Sequence, residues 1–493
     1  MKKPNILLLF TDQQRFDTIG AHGNPTIRTP ALDQLAGMGT SFTRAYTPCP
    51  VCVPARYAML TGRMPFQSGC FDNGPMPETG MSLMERLKER DYQTHGAGKM
   101  HFTFPKWGDT ALWGFDGRDV SEEVEGATRD DFHTFLEQNG YGYVKDPHGV
   151  RSEMYYIPQP SQLPERLHNS AWVADRSIEF LKGRDPHRPF FLMSSFIKPH
   201  PPFESPTPWN KLYRGPEMPL PKRPQDAEQL ITYWNRHQNR YKYRDQGIDD
   251  HLIRCMKAAY YGAISFLDYQ IGRILAYMRQ SGLMENTIIL FTSDHGELLG
   301  DYNCFGKRSF LDSAARVPMI MVSPGAQGGA FCDTPVSLMD VAPTLLLAAG
   351  LQKPQDMLGE SLSDIAQGNI HREMVTGQFQ SNGAGLHMAV TQRYKYIYSE
   401  PDQREWLFDL RLDPQETRSR AGLTAYQGVV RKLRERLMKQ YRQNGFTQPL
   451  DGQEWRKYPV RSVEEDPDAG LLYQDPEPSL PHIPGYERAL EDI

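Results

Sequence analysis

Four apolar runs of this chain each break into a turn loaded with titratable side chains. Residues 5–10 lead into Thr11-Asp12-Gln13, and residues 94–97 into Gly98-Lys99-Met100-His101. Residues 189–196 lead into Lys198-Pro199-His200, and residues 287–292 into Ser293-Asp294-His295-Gly296. In an open α/β sheet, ligands bind outside the carboxyl ends of the strands. If the four runs are parallel strands, two carboxylates, three imidazoles and two lysines meet on one edge. Asp12 and Asp294 suit a hard divalent cation, with His295 or Gln13 completing its shell. One aspartate after a strand is commonly just a turn residue; two, each beside a second potential ligand, form a metal-site pattern. Lys99 and His101 flank Met100, so on an extended segment both point to one side.

The segment Cys49-Pro50-Val51-Cys52-Val53-Pro54-Ala55-Arg56 precedes a helical stretch at residues 57–60. Cys52 therefore sits at or just before a helix N-terminus, where free N–H groups and the helix dipole favour an anion. Arg56, one turn on, faces the same way. As a redox pair Cys49 and Cys52 lack the expected strand before them, and as a zinc half-site they lack a second pair. A buried structural cysteine is the plainer alternative.

Positioning these groups takes a sheet. Short apolar runs at 5–10, 94–97, 189–196, 287–292 and 318–322 alternate with amphipathic helical stretches, the pattern of a mostly parallel sheet covered by helices. Thr29-Pro30 opens a helix over 31–36. Ser82 and Glu85 form a capping box for 83–90. Residues 169–183 and 250–282 are helical and each ends in Gly. Beyond about residue 370, alternating runs at 387–390, 394–398 and 406–410 indicate antiparallel strands. Thr424 and Gln427 then open a helix reaching residue 441. The expected fold is α/β: a large, mostly parallel sheet sandwiched by helices (1–370), with a smaller C-terminal antiparallel α+β subdomain (371–445). Residues 446–493 are an extended tail whose anchors, including Trp455, Tyr458, Leu471, Leu472 and Tyr473, suggest packing on this or a neighbouring subunit in a homodimer or homotetramer.

The 55 Lys+Arg and 60 Asp+Glu of the 493 residues give a net charge of −5, which argues against a nucleic-acid partner. No apolar run is long enough to span a membrane. The first apolar run is too short for a signal peptide and is followed by Asp12 with no cleavage site, so a cytoplasmic location is expected. Six cysteines in this length do not suggest a disulfide framework.

Cys52-Val53-Pro54-Ala55-Arg56 resembles the C-x-P-x-R modification signature of the type I, formylglycine-dependent sulfatases of the alkaline phosphatase superfamily. Leu60-Thr61-Gly62-Arg63, the opening Pro4-Asn5-Ile6 with Asp12-Gln13, Gly98-Lys99-Met100-His101, Lys198-Pro199-His200, Ser293-Asp294-His295-Gly296-Glu297, and Lys307 followed by Arg316-Val317-Pro318 resemble the same family, in the same order. The resemblance extends to about residue 420. It implies that Cys52 is oxidised to Cα-formylglycine by a separate maturation enzyme, and that one hydroxyl of the hydrated aldehyde attacks sulfur. It also implies that Asp12, Gln13, Asp294, His295 and residue 52 hold one divalent ion, calcium in the family. Arg56 would steady the hydrate, Lys99 and Lys307 would bind sulfate oxygens, His101 would act as base for collapse, and His200 would protonate the leaving oxygen.

Many sulfatases have a second Asp where Gln13 stands and Asn where His295 stands, and a His where Tyr302 stands. The donor set is thus less anionic and admits manganese as the next choice, and Gln13 need not ligate. Asp12-Gln13, Pro54-Ala55-Arg56 and Asp294-His295 are also similar to the phosphonate monoester hydrolase branch. Lys99-Met100-His101-Phe102 is similar to the choline-sulfatase-like and arylsulfatase branches. The expected activity is hydrolysis of a small aryl, alkyl or sugar sulfate. Hydrolysis of phosphonate or phosphate mono- or diesters is the first alternative, and an unmatured metal-binding pseudoenzyme is the second. Loops at 102–125, 146–163 and 203–223, with Trp107, Trp113 and Trp209, are candidates for the substrate pocket.

Overall fold

The computed structural model describes residues 3–78, 80–105, 111–123, 130–151, 155–242 and 249–463. Its large sheet has eight strands: β1 (Asn5–Asp12), β2 (Thr40–Phe42), β3 (Gln93–Gly98), β4 (Gly117–Val120), β5 (Phe190–Pro199), β6 (Thr287–Ser293), β7 (Met319–Val322) and β8 (Ala330–Cys332). Their spatial order is β8-β2-β7-β6-β1-β5-β3-β4. The four expected strands are mutually parallel, with β1 between β5 and β6, and β3 beside β5. Only β7 runs against its neighbours. All four loaded turns therefore emerge on one edge.

Period-two alternation sends β1 side chains to two cores. Ile6, Leu8 and Phe10 join one face with α2 (Cys52–Thr61), α3 (Leu83–Lys88) and α6 (Val341–Ala348). Leu7 and Leu9 join the other with α1 (Pro30–Met38), α4 (Asn169–Gly183) and α5 (Asp250–Gln280). Ser82 and Glu85 form their capping box. Thr29 makes no side-chain cap; the Asp268 carboxylate of α5 instead accepts from Ala31 N at 3.0 Å and Leu32 N at 2.8 Å. Pro30 needs no acceptor for its nitrogen, so a carboxylate placed two residues in serves the first free donors.

The C-terminal sheet is antiparallel: β9 (Val375–Phe379), β10 (Leu386–Val390), β11 (Tyr394–Ser399) and β12 (Arg404–Asp409). One face packs Phe379, Met388 and Trp406 against Leu298 and Phe310 of the larger unit. The other is covered by α7 (Gln427–Gln443). Thr424 lies in a 3₁₀ turn before α7 and does not cap it. Beyond α7, Trp455 is buried against this sheet, stacked on Tyr398 at 4.4 Å and donating Nε1 to the Tyr396 hydroxyl at 2.8 Å. Leu471, Leu472 and Tyr473 lie outside the described residues.

Candidate active site

Backbone geometry sets the site at each strand end. The β1–β5 register shifts between Thr11 and Asp12, and Gln13 follows in the left-handed region with φ 64°. There its N–H donates to Asp294 Oδ1 at 2.9 Å. At the end of β3, Gly98 has φ 93°, and a Cβ on it would lie 2.0 Å from the Ser195 carbonyl oxygen. Only glycine permits this approach, which sets Lys99 N on that carbonyl at 3.0 Å. Cys52 is the first residue of α2, so the thiol stands at the helix N-terminus, and Cys49 and Cys52 are both free thiols.

Asp12, Cys52, Asp294 and His295 are buried, and one ligand atom from each lies within 4.8 Å of the others. Cys52 Sγ is 3.2 Å from His295 Nε2 and 2.8 Å from Lys307 Nζ. Arg56 ties the carboxylates together, reaching Asp12 Oδ2 at 2.9 Å and Asp294 Oδ2 at 3.3 Å. Its Nη1 donates to the Lys99 carbonyl and to Ser195 Oγ. Lys99 Nζ lies 2.7 Å from Asp12 Oδ2 and also contacts Glu123. Lys307 Nζ donates to Gln13 Oε1 at 3.0 Å and lies 3.4 Å from His200 Nε2. His200 Nδ1 faces the Pro201 carbonyl at 2.7 Å and Glu123 Oε1 at 2.6 Å. His101 stands apart from this hydrogen-bonded group. Its N–H donates to Glu122, and its Nδ1 is buried without a hydrogen-bond partner among the described residues.

The charges are opposed in a way that suits a cation. Burial works against ionising Asp12, yet Lys99, His200, Arg56 and Lys307 outweigh it and hold its carboxyl well below the usual range. Burial and the Asp12 charge push Asp294 up to about 6. Burial and Asp12 oppose a Cys52 thiolate, but Lys307, Lys99 and His295 prevail and lower that thiol well below its ordinary value. Two carboxylates, an imidazole and the residue-52 side chain fit one divalent ion. Gln13 has its amide engaged otherwise, with Nε2 on Glu297 and Oε1 on Lys307.

Sequence reasoning assigned no role to Glu297, Glu122, Glu123 or Ser195. Buried Glu297 accepts from Gln13 Nε2, the Tyr156 hydroxyl, Leu299 N and Gly306 N. It thereby joins the turn after β1 to the turn carrying Lys307. Of the aromatic pocket candidates, Trp113 stacks on Tyr57 and Trp209 packs on Phe266 and Tyr269. Trp107 is outside the described residues.

The family model "Sulfatase" matches residues 4–351. A second, "N-sulphoglucosamine sulphohydrolase, C-terminal", matches residues 300–443. The chain is 31% identical over 493 residues to an arylsulfatase of Clostridium perfringens, covering 94% of this chain and 99% of that protein. It is 29% identical to the multifunctional alkaline phosphatase superfamily protein PehA of Trinickia caryophylli, covering 89% and 95%. Its fold is similar to that of the phosphonate monoester hydrolase of Agrobacterium radiobacter, with a TM-score of 0.77 at 24% identity over 89% of this chain and 96% of that one.

Proposed function

This chain belongs to the sulfatase family and is a sulfuric ester hydrolase; from that premise we propose that it cleaves a small sulfate monoester with residue 52 as nucleophile, after Cys52 is converted to formylglycine by a maturation enzyme. The observation that carries this reading is the setting of Cys52. Its Sγ lies between His295 of the carboxylate cluster and the Lys307 ammonium, at a helix N-terminus. Asp12, Asp294, His295 and residue 52 would hold the divalent ion, calcium first and manganese second. When bound, such an ion lowers the pKa of the nucleophile and screens developing charge.

The chain's own groups account for the remaining chemistry. Lys307, with Nζ 2.8 Å from Cys52 Sγ, and Lys99, with Nζ on Asp12, supply donors to the non-bridging sulfate oxygens. Arg56 fixes Asp12 and Asp294 in place. His200, with Nδ1 against Glu123 and the Pro201 carbonyl, presents Nε2 to hand a proton to the leaving oxygen. His101, two residues after Lys99, is assigned on the family resemblance the base that takes a proton from the residue-52 side chain; its buried Nδ1 has no hydrogen-bond partner among the described residues.

The second reading, phosphonate or phosphate ester hydrolysis, draws on the fold similarity at TM-score 0.77 and on Asp12-Gln13 and Asp294-His295. In such substrates a carbon or alkoxy group replaces one oxygen, leaving one lysine desolvated without a partner, at about 1–3 kcal/mol. Peptide mass spectrometry of residue 52 should find an aldehyde in active protein, and kcat/KM should be higher for an aryl sulfate than for the matched phosphonate. Lys99→Ala should lower sulfate turnover by roughly 10² and phosphonate turnover less. Full activity with an unmodified thiol rejects the mechanism, and a preferred phosphonate replaces the substrate class.

A further inference from the structure

The catalytic edge of the large sheet continues past β6. Since β2 and β8 run with β6 and β7 runs against it, this stretch presents the carboxyl ends of β2 and β8 and the amino end of β7. A cavity of about 800 Å³ lies over them, within the range of small-molecule sites, roughly 300–1,000 Å³. Phe42, at the end of β2, and Phe331, in β8, form apolar walls, and Phe331 is 63% exposed at the mouth. Arg15, two residues after Gln13, and Asp301 also line it.

The cations lining this cavity are unevenly matched. Arg15 is neutralised by Asp17 at 2.7 Å and Asp301 at 3.0 Å. Arg316 pairs with Asp312 at 3.2 Å and stacks on Phe16. Lys222 stands 3.7 Å from Asp301, which already serves Arg15. Lys257, on α5, is buried, donates to the Pro219 carbonyl at 2.9 Å, and has no carboxylate within 4.0 Å among the described residues. Burial and the Arg15 charge lower it to about 8, against the opposing pull of Asp301 and Asp17. Those two carboxylates offset its charge only from beyond 4.0 Å, and an anion entering the cavity would supply the direct partner that a buried ammonium favours.

We propose that this cavity is a second ligand site, for a small organic anion whose acidic group meets Lys257 and Lys222 and whose apolar body lies on Phe42 and Phe331. The site is distinct from the sulfate seat but not independent of it. Arg15 Nη1 donates to the Glu297 and Leu298 carbonyls at 2.8 Å and 3.2 Å, so the cavity wall is tied to the turn that holds Gln13.

Calorimetric titration of the full chain with benzoate, and with benzamide as its uncharged isostere, tests this. One benzoate should bind per chain and benzamide at least roughly tenfold more weakly, the scale of one lost ionic hydrogen bond. Lys257→Met should weaken benzoate by a similar factor, Lys257→Arg should restore it, and Lys99→Ala should leave it unchanged. Phe331→Asp, a change at an exposed position, should also weaken it and does not depend on how the chain tolerates a new core residue. No benzoate binding at millimolar concentration, equal binding of benzamide, or loss in Lys99→Ala with retention in Lys257→Met would each overturn the proposal.

Discussion

Glu297→Gln keeps size and shape and changes one oxygen to a nitrogen, so its effect isolates the hydrogen-bond pattern. Oε1 accepts from the backbone N–H groups of Leu299 and Gly306, which cannot turn away. The amide oxygen of the variant must therefore stay there, and its NH₂ takes the Oε2 position. The Tyr156 hydroxyl, 3.1 Å from Oε2, can rotate to accept. Gln13 can accept only by turning its own amide over. That puts Gln13 NH₂ where Oε1 now takes a hydrogen bond from Lys307 Nζ at 3.0 Å. Lys307 loses a charge-assisted bond worth about 1.5–3 kcal/mol. At about 1.4 kcal/mol per decade this is roughly a 10- to 100-fold fall in kcat/KM. The assay is turnover of 4-nitrophenyl sulfate by matured protein, alongside thermal denaturation. The same substitution in a Gln13→Leu background should cost much less, because the coupling runs through Gln13. Activity of Glu297→Gln within twofold of wild type, or an undiminished loss in the Gln13→Leu background, would refute the reasoning.

His200→Ala should reduce turnover of an alkyl sulfate by roughly 10²-fold or more, the scale of a lost general acid. It should harm 4-nitrophenyl sulfate much less, because that leaving group needs little protonation; equal losses on both would count against the role. Glu204 is buried between Lys198 at 2.8 Å and His168 at 3.0 Å. Burial opposes its charge, but His168 and Lys198 hold its carboxyl well below the usual range. Its stabilisation is thus complete above an unfolded value of about 4.3 and is lost as pH falls further. Glu204→Gln should destabilise by about 3–5 kcal/mol at pH 7, a difference that narrows in acid, as denaturant midpoints would report. Trp455→Ala should cost about 3–5 kcal/mol through the cavity it leaves against Tyr398 and Tyr396, measured by chemical denaturation.

Much of the fold was legible because its signals are local. The long helices were expected at 169–183 and 250–282, and α4 and α5 span Asn169–Gly183 and Asp250–Gln280, with Gly282 in the left-handed region after the latter. The three-residue strands β2 and β8 carry no periodicity and could not be seen. The helix read over 57–60 starts at Cys52, which was expected at or just before its N-terminus; Pro54 lies in the first turn, where a missing N–H costs nothing. Thr29 was read as a cap from its type, yet the donors it would have served are taken by Asp268, 237 residues away from Ala31. A cap supplied from another helix leaves no trace in the neighbouring sequence.

The same division runs through the active site. Asp12, Lys99, His200 and Asp294 could be found because each follows an apolar strand, and parallel pairing alone brings strand ends together. Cys52 and Arg56 stood out by their place at a helix N-terminus and took their expected roles from the resemblance, whereas Lys307, with no strand leading into it, came from the resemblance alone. The groups that orient these side chains were missed for a physical reason. Glu297 follows His295 by two residues and stood inside a recognised motif, but its four donors come from residues 13, 156, 299 and 306. Glu123 reaches Lys99 across 24 residues and His200 across a separate strand. A buried carboxylate gains its role from the donors that converge on it. Those donors are set by tertiary packing, so type and spacing mark the candidate ligand and acid–base positions while leaving their supports unmarked.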